Sequence, residues 1–185
     1  YTAFMPLSKD KIDEGLLWVN HEYVCPLFVS GYKGGDKTKA QVDKEQYALG
    51  GSVVKIKKEG KHWKLQYAHT LNRRITAKTP IPFHWDEPIA GSHIAIGTFG
   101  NCSGGVTPWG SILTCEENYD AFYGEAHYEN NERVLTKGRL GWDKYYERPT
   151  EHYGWVVEVD PMTGGSRKLV ALGRFMHECA TLFEG

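Results

Sequence analysis

Residues 100–118 read "GNCSGGVTPWGSILTCEEN". A cysteine stands before a glycine pair. A short apolar run follows and ends in a second cysteine and two adjacent glutamates. Such a run, bounded by Gly and Asn, reads as a β-strand. Neighbouring carboxylates repel one another and a free thiol invites oxidation, so ending a strand on "CEE" calls for compensation. A bound cation faced by the carboxylates and Cys102 supplies it. Cys115, in the apolar part of the run, reads as buried and inert. "SGGVTPWG" lacks the GK[ST] ending of a phosphate loop. Gly104 and Gly105 instead let the backbone approach another group closely, or take a positive φ.

Working outward, the same pattern comes back. "GLLWVNHE" (15–22) lies over "GSILTCEE" (110–117), and Glu22 falls on Glu117, 95 positions on. "GSVVKI" lies over "GWVVEV", matching Gly51 with Gly154 at a spacing of 103. "LNRR" (71–74) lies over "LGRF" (172–175), setting Arg73 on Arg174 at a spacing of 101. One Gly-plus-apolar match is cheap by chance, but three in one order at nearly one offset indicate a repeated four-strand unit. The units also begin alike: "GTFGNCSGG" (97–105) and "GRFMHECAT" (173–181) share Gly-x-Phe, and five residues after each glycine stands Cys102 or Glu178. The hairpin-like stretches 51–67 and 154–172 fit the same scheme, each a strand, a Gly-containing polar turn and a second strand.

Repeated four-stranded units predict an all-β fold, a β-propeller, of which residues 1–185 hold about two blades and the start of a third. The chain is thus expected to be one partial domain, an N-terminal piece of a larger enzyme, with the remaining blades supplied by the same or another chain. Insertions at about 31–50 and 119–152 lengthen the units. Residues 37–49 could form a short helix ending at Gly50-Gly51, and 119–152 reads as a long polar and aromatic excursion.

Composition narrows the function classes. A formal net charge of −1 gives no footprint for nucleic acid or a membrane surface. No apolar run approaches the roughly 20 residues of a spanning helix. Four cysteines without CxxC spacing make neither a disulfide framework nor a structural zinc site. No HExxH or nucleophilic serine elbow is present, and Ser103 beside Cys102 makes no triad.

The candidate chemistry lies with Glu22, Glu117, Glu178 and Cys102. In a propeller, strand ends converge on the channel mouth, where three carboxylates and a thiolate repel unless a multivalent cation joins them. Oxygen donors favour calcium, magnesium or ferric iron, and a thiolate favours a transition metal, so the mixed set suggests more than one metal. Each residue also has a plain alternative. "NHE" is a solvated loop pair, "CEE" a buried cysteine before exposed acids, Cys102 an apolar filler, and Glu178 an ion-pair partner of Arg174. Shared repeat positions weigh against these. His21 and His177 each precede a glutamate and read as core or surface histidines before ligands. In "LNRRIT", Arg73 or its neighbour could grip phosphate oxygens beside the metals, or equally face solvent.

"LLWVNHEY", "GGSVVKI", "LNRRIT", "NCSGGVTPWGSILTCEEN", "YGWVVEVDP" and "LGRFMHE" resemble, in order, the N-terminal half of PhoX-family alkaline phosphatases, from about residue 12 onward. Segments 31–48 and 119–152 carry little of it. The resemblance implies a propeller enzyme, exported to the periplasm or outside the cell, that hydrolyses phosphate monoesters with a cluster of ferric iron (Fe3+) and calcium (Ca2+) at the channel mouth. It implies Cys102, Glu22, Glu117 and Glu178 as metal ligands, with Glu116 the lesser alternative to Glu117, and Asn72 as a phosphate contact. The family's later ligands and phosphate-binding arginine fall beyond this chain, which by itself is then expected to be inactive. Two rivals stand beside this: a calcium-only lactonase or phosphotriesterase-like propeller, for which Cys102 would be dispensable, and a non-catalytic propeller that binds a protein or sugar.

Overall fold

The computed structural model describes residues 1–183. It is mostly β, built on two larger antiparallel sheets. The first takes β1 (Thr2–Ser8), β2 (Lys11–His21), β3 (Gly50–Glu59) and β4 (His62–Leu65) in that order, with β5 (Arg73–Ile75) also pairing β3. A short helix α1 (Pro26–Val29) and a longer one, α2 (Lys39–Ala48), intervene between β2 and β3. A two-stranded ribbon joins β6 (Pro80–Pro82) to β7 (Ile94–Ile96). The second large sheet runs β8 (Asn101–Val106), β9 (Ile112–Glu116), β12 (Val156–Val159), β13 (Ser166–Lys168). Between β9 and β12 lie helix α3 (Asp120–Tyr123) and a hairpin of β10 (Glu125–Glu129) and β11 (Glu132–Thr136). Neither large sheet closes on itself.

The two sheets are equivalent meanders, and the sequence repeat marks the equivalence. β2 answers to β9 and β3 to β12. Gly51 and Gly154 match for a steric reason: a Cβ on Gly51 would lie 2.2 Å from the Trp18 ring, and one on Gly154 would lie 2.5 Å from the Tyr119 ring. Each glycine leaves room for an aromatic ring, that of Trp18 on β2 in one case and that of Tyr119 at the start of α3 in the other. The third match holds only loosely: 172–175 forms no strand, but the Phe175 N–H donates to the Gly154 carbonyl at 3.0 Å, as β5 runs beside Gly51. Arg73 and Arg74 stand on β5, whereas 172–175 follows the short turn Val170–Leu172 through Gly173 (φ +85), and Arg174 pairs with Glu125. The strand beside β12 is β13.

Alternating apolar residues on both sheets meet in one core: Ala3, Met5, Leu16, Trp18 and Val53 from the first, Ile112, Val157 and Val159 from the second. Burying a side chain of this size contributes about 1.5–3 kcal/mol. The insertions are not excursions. They pack on one another in a second core that joins Val42 and Leu49 to Phe99, Phe122, Tyr123, Trp142 and Tyr153. Thr38 starts α2 with a reciprocal capping box to Gln41. Buried Glu45 then fastens the helix from inside, accepting from Lys37 Nζ (2.7 Å), Ser30 Oγ (2.7 Å) and Trp142 Nε1 (2.9 Å).

The adjacent glutamates of "CEE" part company at the end of β9. Glu116 turns inward. Its Oε1 meets Lys168 Nζ at 2.6 Å with both side chains fully buried, and its Oε2 accepts from the backbone N–H groups of Gly154 (2.9 Å) and Trp155 (3.0 Å). Burial pulls the Lys168 ammonium below its ordinary range, against the pull of Glu116. Lys168→Met leaves that carboxylate unpaired in the interior, so urea denaturation should read a loss of about 3–5 kcal/mol, with part of it recovered in Lys168→Met/Glu116→Gln.

Candidate metal centre

Glu22 is the first residue beyond β2, and Glu117 the first beyond β9. The Glu117 N–H is held by the Gly100 carbonyl at 2.9 Å. Cys102 stands on β8 where the register to β9 slips between Asn101 and Gly104. A bulge of this kind re-aims a side chain. Gly104 and Gly105 allow the close approaches around it: a Cβ would lie 1.9 Å from the Leu113 carbonyl oxygen in one case and 2.2 Å from that of Ala180 in the other. Neither has a positive φ.

The outcome is a cluster. One donor atom each from Glu22, Cys102 and Glu117 lies within 4.8 Å of the other two, and all three residues are half-buried. Two carboxylates at this separation repel by about 3–4 kcal/mol at an effective dielectric near 20. The thiol registers the same field. Burial first, then the charges of Glu22 and Glu117, push the Cys102 thiol up to about 11. Tyr23 is likewise raised, by burial and then by the same two carboxylates. No lysine or arginine pairs with Glu22 or Glu117 among the described residues. The donor set therefore suits a multivalent cation, and its sulfur suits a transition metal better than calcium, which takes six to eight oxygens.

Glu178 sits on the rim. It is exposed and outside the three-donor cluster, although its charge is felt at the Cys102 thiol. Its carbonyl accepts from the Ser103 N–H at 2.9 Å, which runs the segment after residue 176 beside β8. The two histidines are spoken for. His21 Nε2 meets Ser52 Oγ at 2.8 Å, and buried His177 directs Nε2 to the Gly173 carbonyl at 3.0 Å.

Asn72 and Arg73 are not brought to the cluster. Asn72 Oδ1 accepts from the Lys55 N–H at 2.6 Å and its Nδ2 donates to the Gln66 carbonyl at 2.8 Å, so the amide bridges backbone within the first sheet. Lys55 pairs with Leu16, which is six residues, or about 20 Å, back along β2 from Glu22. Arg73 donates Nε to its neighbour's carbonyl at Leu71 and lies against Gly164, in the turn at the far end of β12 from Glu117. Arg74 spends its guanidinium on the carbonyls of Tyr47, Ala48, Leu49 and Gly51. Next in sequence to the cluster's glutamates are Asn118 and Tyr23, and the Asn118 Nδ2 donates to Tyr23 Oη at 2.6 Å. The place of Asn118 directly after Glu117, mirrored by Tyr23 after Glu22, was the available sequence signal.

The sequence profile of the family described as alkaline phosphatase PhoX matches residues 1–184. Among solved structures, Pseudomonas fluorescens PhoX in complex with vanadate, a transition state analogue, is similar at 26% identity with a TM-score of 0.80. That similarity covers 96% of this chain and 35% of the other, so this chain spans about a third of its relative's length. No curated protein matches.

In metal-free protein at pH 8, Cys102 should alkylate about a hundredfold more slowly than an unperturbed thiol, because only the thiolate reacts. Glu22→Gln/Glu117→Gln removes negative charge, lowers that pKa and should accelerate the reaction. Exposed Cys179 serves as the internal standard in peptide mass spectrometry.

Proposed function

This chain belongs to the PhoX family of alkaline phosphatases, and from that membership we propose that the protein hydrolyses phosphate monoesters at a metal centre built on Glu22, Cys102 and Glu117, with Glu178 completing it from the rim. The observation that carries the proposal is the convergence of two carboxylates and a thiol, from three strands of two sheets, with no protein cation to neutralise them. The metals assigned are ferric iron at the sulfur and calcium among the carboxylates. When bound, they would supply positive charge to polarise a phosphoryl oxygen and activate water.

The residues of the chain do the rest. Glu22 and Glu117 fix the positive charge between the two sheets, and Cys102 contributes as a ligand, not as an attacking group. Asn118 and Tyr23, side by side at the cluster's edge, offer neutral donors to a phosphate ester held there, in place of Asn72 and Arg73. The two meanders are read as successive blades of a propeller whose further blades bring the remaining ligands. Activity therefore belongs to the complete assembly, and residues 1–185 by themselves are assigned none. Family membership supports an exported, periplasmic or extracellular protein; no described helix is long and apolar enough to cross a membrane.

With the full-length protein, elemental analysis should find iron and calcium, and p-nitrophenyl phosphate should turn over at alkaline pH and be inhibited by vanadate. Cys102→Ser should cut kcat by about a hundredfold or more with little change in Tm, since loss of even a supporting residue around a metal costs about 10–100-fold. A calcium-only hydrolase would keep its activity in Cys102→Ser. A non-catalytic binding protein would be indifferent to chelators and show no turnover. Folded, active protein without iron would overturn the metal assignment.

A further inference from the structure

Two residues before Glu22 stands Asn20, whose side chain leaves the first sheet for the second. Its Nδ2 donates to the carbonyls of Cys102 (3.0 Å) and Ser103 (3.4 Å). Its Oδ1 accepts from Trp18 Nε1 (2.6 Å) and Thr114 Oγ1 (3.0 Å). A side-chain amide has two donor hydrogens and two acceptor lone pairs, and here all four are used. The carbonyls it takes lie within the stretch where β8 slips out of register with β9. In a bulge the extra residue is left without its ladder partners, and Asn20 supplies partners from the neighbouring sheet. The acceptor side is anchored equally well: Trp18 is fully buried in the inter-sheet core, and Thr114 is buried on β9 and receives Asn101 Nδ2 at 3.1 Å.

We infer that Asn20 is a positioning residue that holds the Cys102 bulge from across the sheet interface and so keeps the sulfur facing Glu22 and Glu117. The functional meaning rests on the metal reading above, but the tie itself does not. One strand end, residues 20–22, then carries both a donor of the cluster and the clamp on another, which couples the spacing of the cluster to the packing of the two sheets. Asn20→Ala strands two carbonyls and frees the bulge. Asn20→Leu preserves the shape but removes the amide donors without adding a charge beside the thiol.

The test uses the full chain stripped of metal, with iodoacetamide labelling of each cysteine followed by mass spectrometry of its peptide. In Asn20→Ala and Asn20→Leu, Cys102 should label on the order of tenfold faster through local opening of β8, while buried Cys115 stays protected. Titrated with ferric iron, both variants should also give a weaker or displaced thiolate-to-iron absorption band than the parent. Should Asn20→Ala fold too poorly to purify, the isosteric and uncharged Asn20→Leu decides. An unchanged Cys102 rate, or an equal rise at Cys115 signalling general loosening, overturns the inference. A parent chain that takes up no iron while its variants still expose Cys102 overturns the metal reading and leaves the tie standing.

Discussion

Successive residues of a β-strand face opposite ways, and at the end of β9 that alternation separates a structural carboxylate from a chemical one. Glu116 goes inward to a fully buried lysine, and Glu117 goes outward to Cys102 and Glu22. The inward pair is more than an ion pair. Lys168 also donates to the His152 carbonyl at 2.8 Å, and Glu116 takes the N–H groups of Gly154 and Trp155. The strand end, its neighbour β12 and the chain entering it are thereby held in one polar network at zero exposure. An unpaired charge there would be costly, so the network admits one arrangement. Glu117 inherits its position from that arrangement.

The other half of the cluster is set by packing. Trp18, Leu16 and Val53 press the first sheet onto Ile112, Val157 and Val159 of the second, and the tip of β2 thereby arrives beside β8. Hydrophobic contact is non-directional, so it brings the tips near without fixing them. Directional bonds finish the alignment, through the Asn20 amide on the two carbonyls of the bulge. The insertions brace the same region from outside. Gln46 reaches Tyr123 at 3.0 Å, and Lys39 reaches the Tyr146 hydroxyl at 2.6 Å. Segments that read as insertions have thus become a shared core of their own.

The cluster is assembled against its own electrostatics. Folding brings two carboxylates and a thiol together, raises the thiol and provides no basic side chain in exchange. Repulsion stored in this way is released by a cation, whose affinity gains what the apoprotein lost. The sulfur makes the preference chemical as well as electrostatic, because a thiolate adds little for calcium and much for iron.

Much of this was legible in the sequence because it depends on local chemistry. The short apolar runs bounded by glycine and asparagine gave the strands, the Gly51 and Gly154 match gave the equivalence of the two sheets, and the paired positions of Glu22 and Glu117 gave two donors of the cluster. The helix at 39–48 was legible from the glycine pair that ends it, though its cap and what buries it were not. Arg73 looked like a phosphate contact from its residue type, and Asn72 from the resemblance to the family. Backbone groups of their own sheet claim the Asn72 amide, and strand direction carries both residues away from the cluster. The partner of Arg174, the fusion of the insertions into a core, and the reach of Asn20 across to β8 were likewise closed to it. Each depends on groups distant in sequence that meet only once the sheets are stacked. Side-chain alternation is a property of the chain itself; which hydrogen-bond donors remain free is decided by what packs against them.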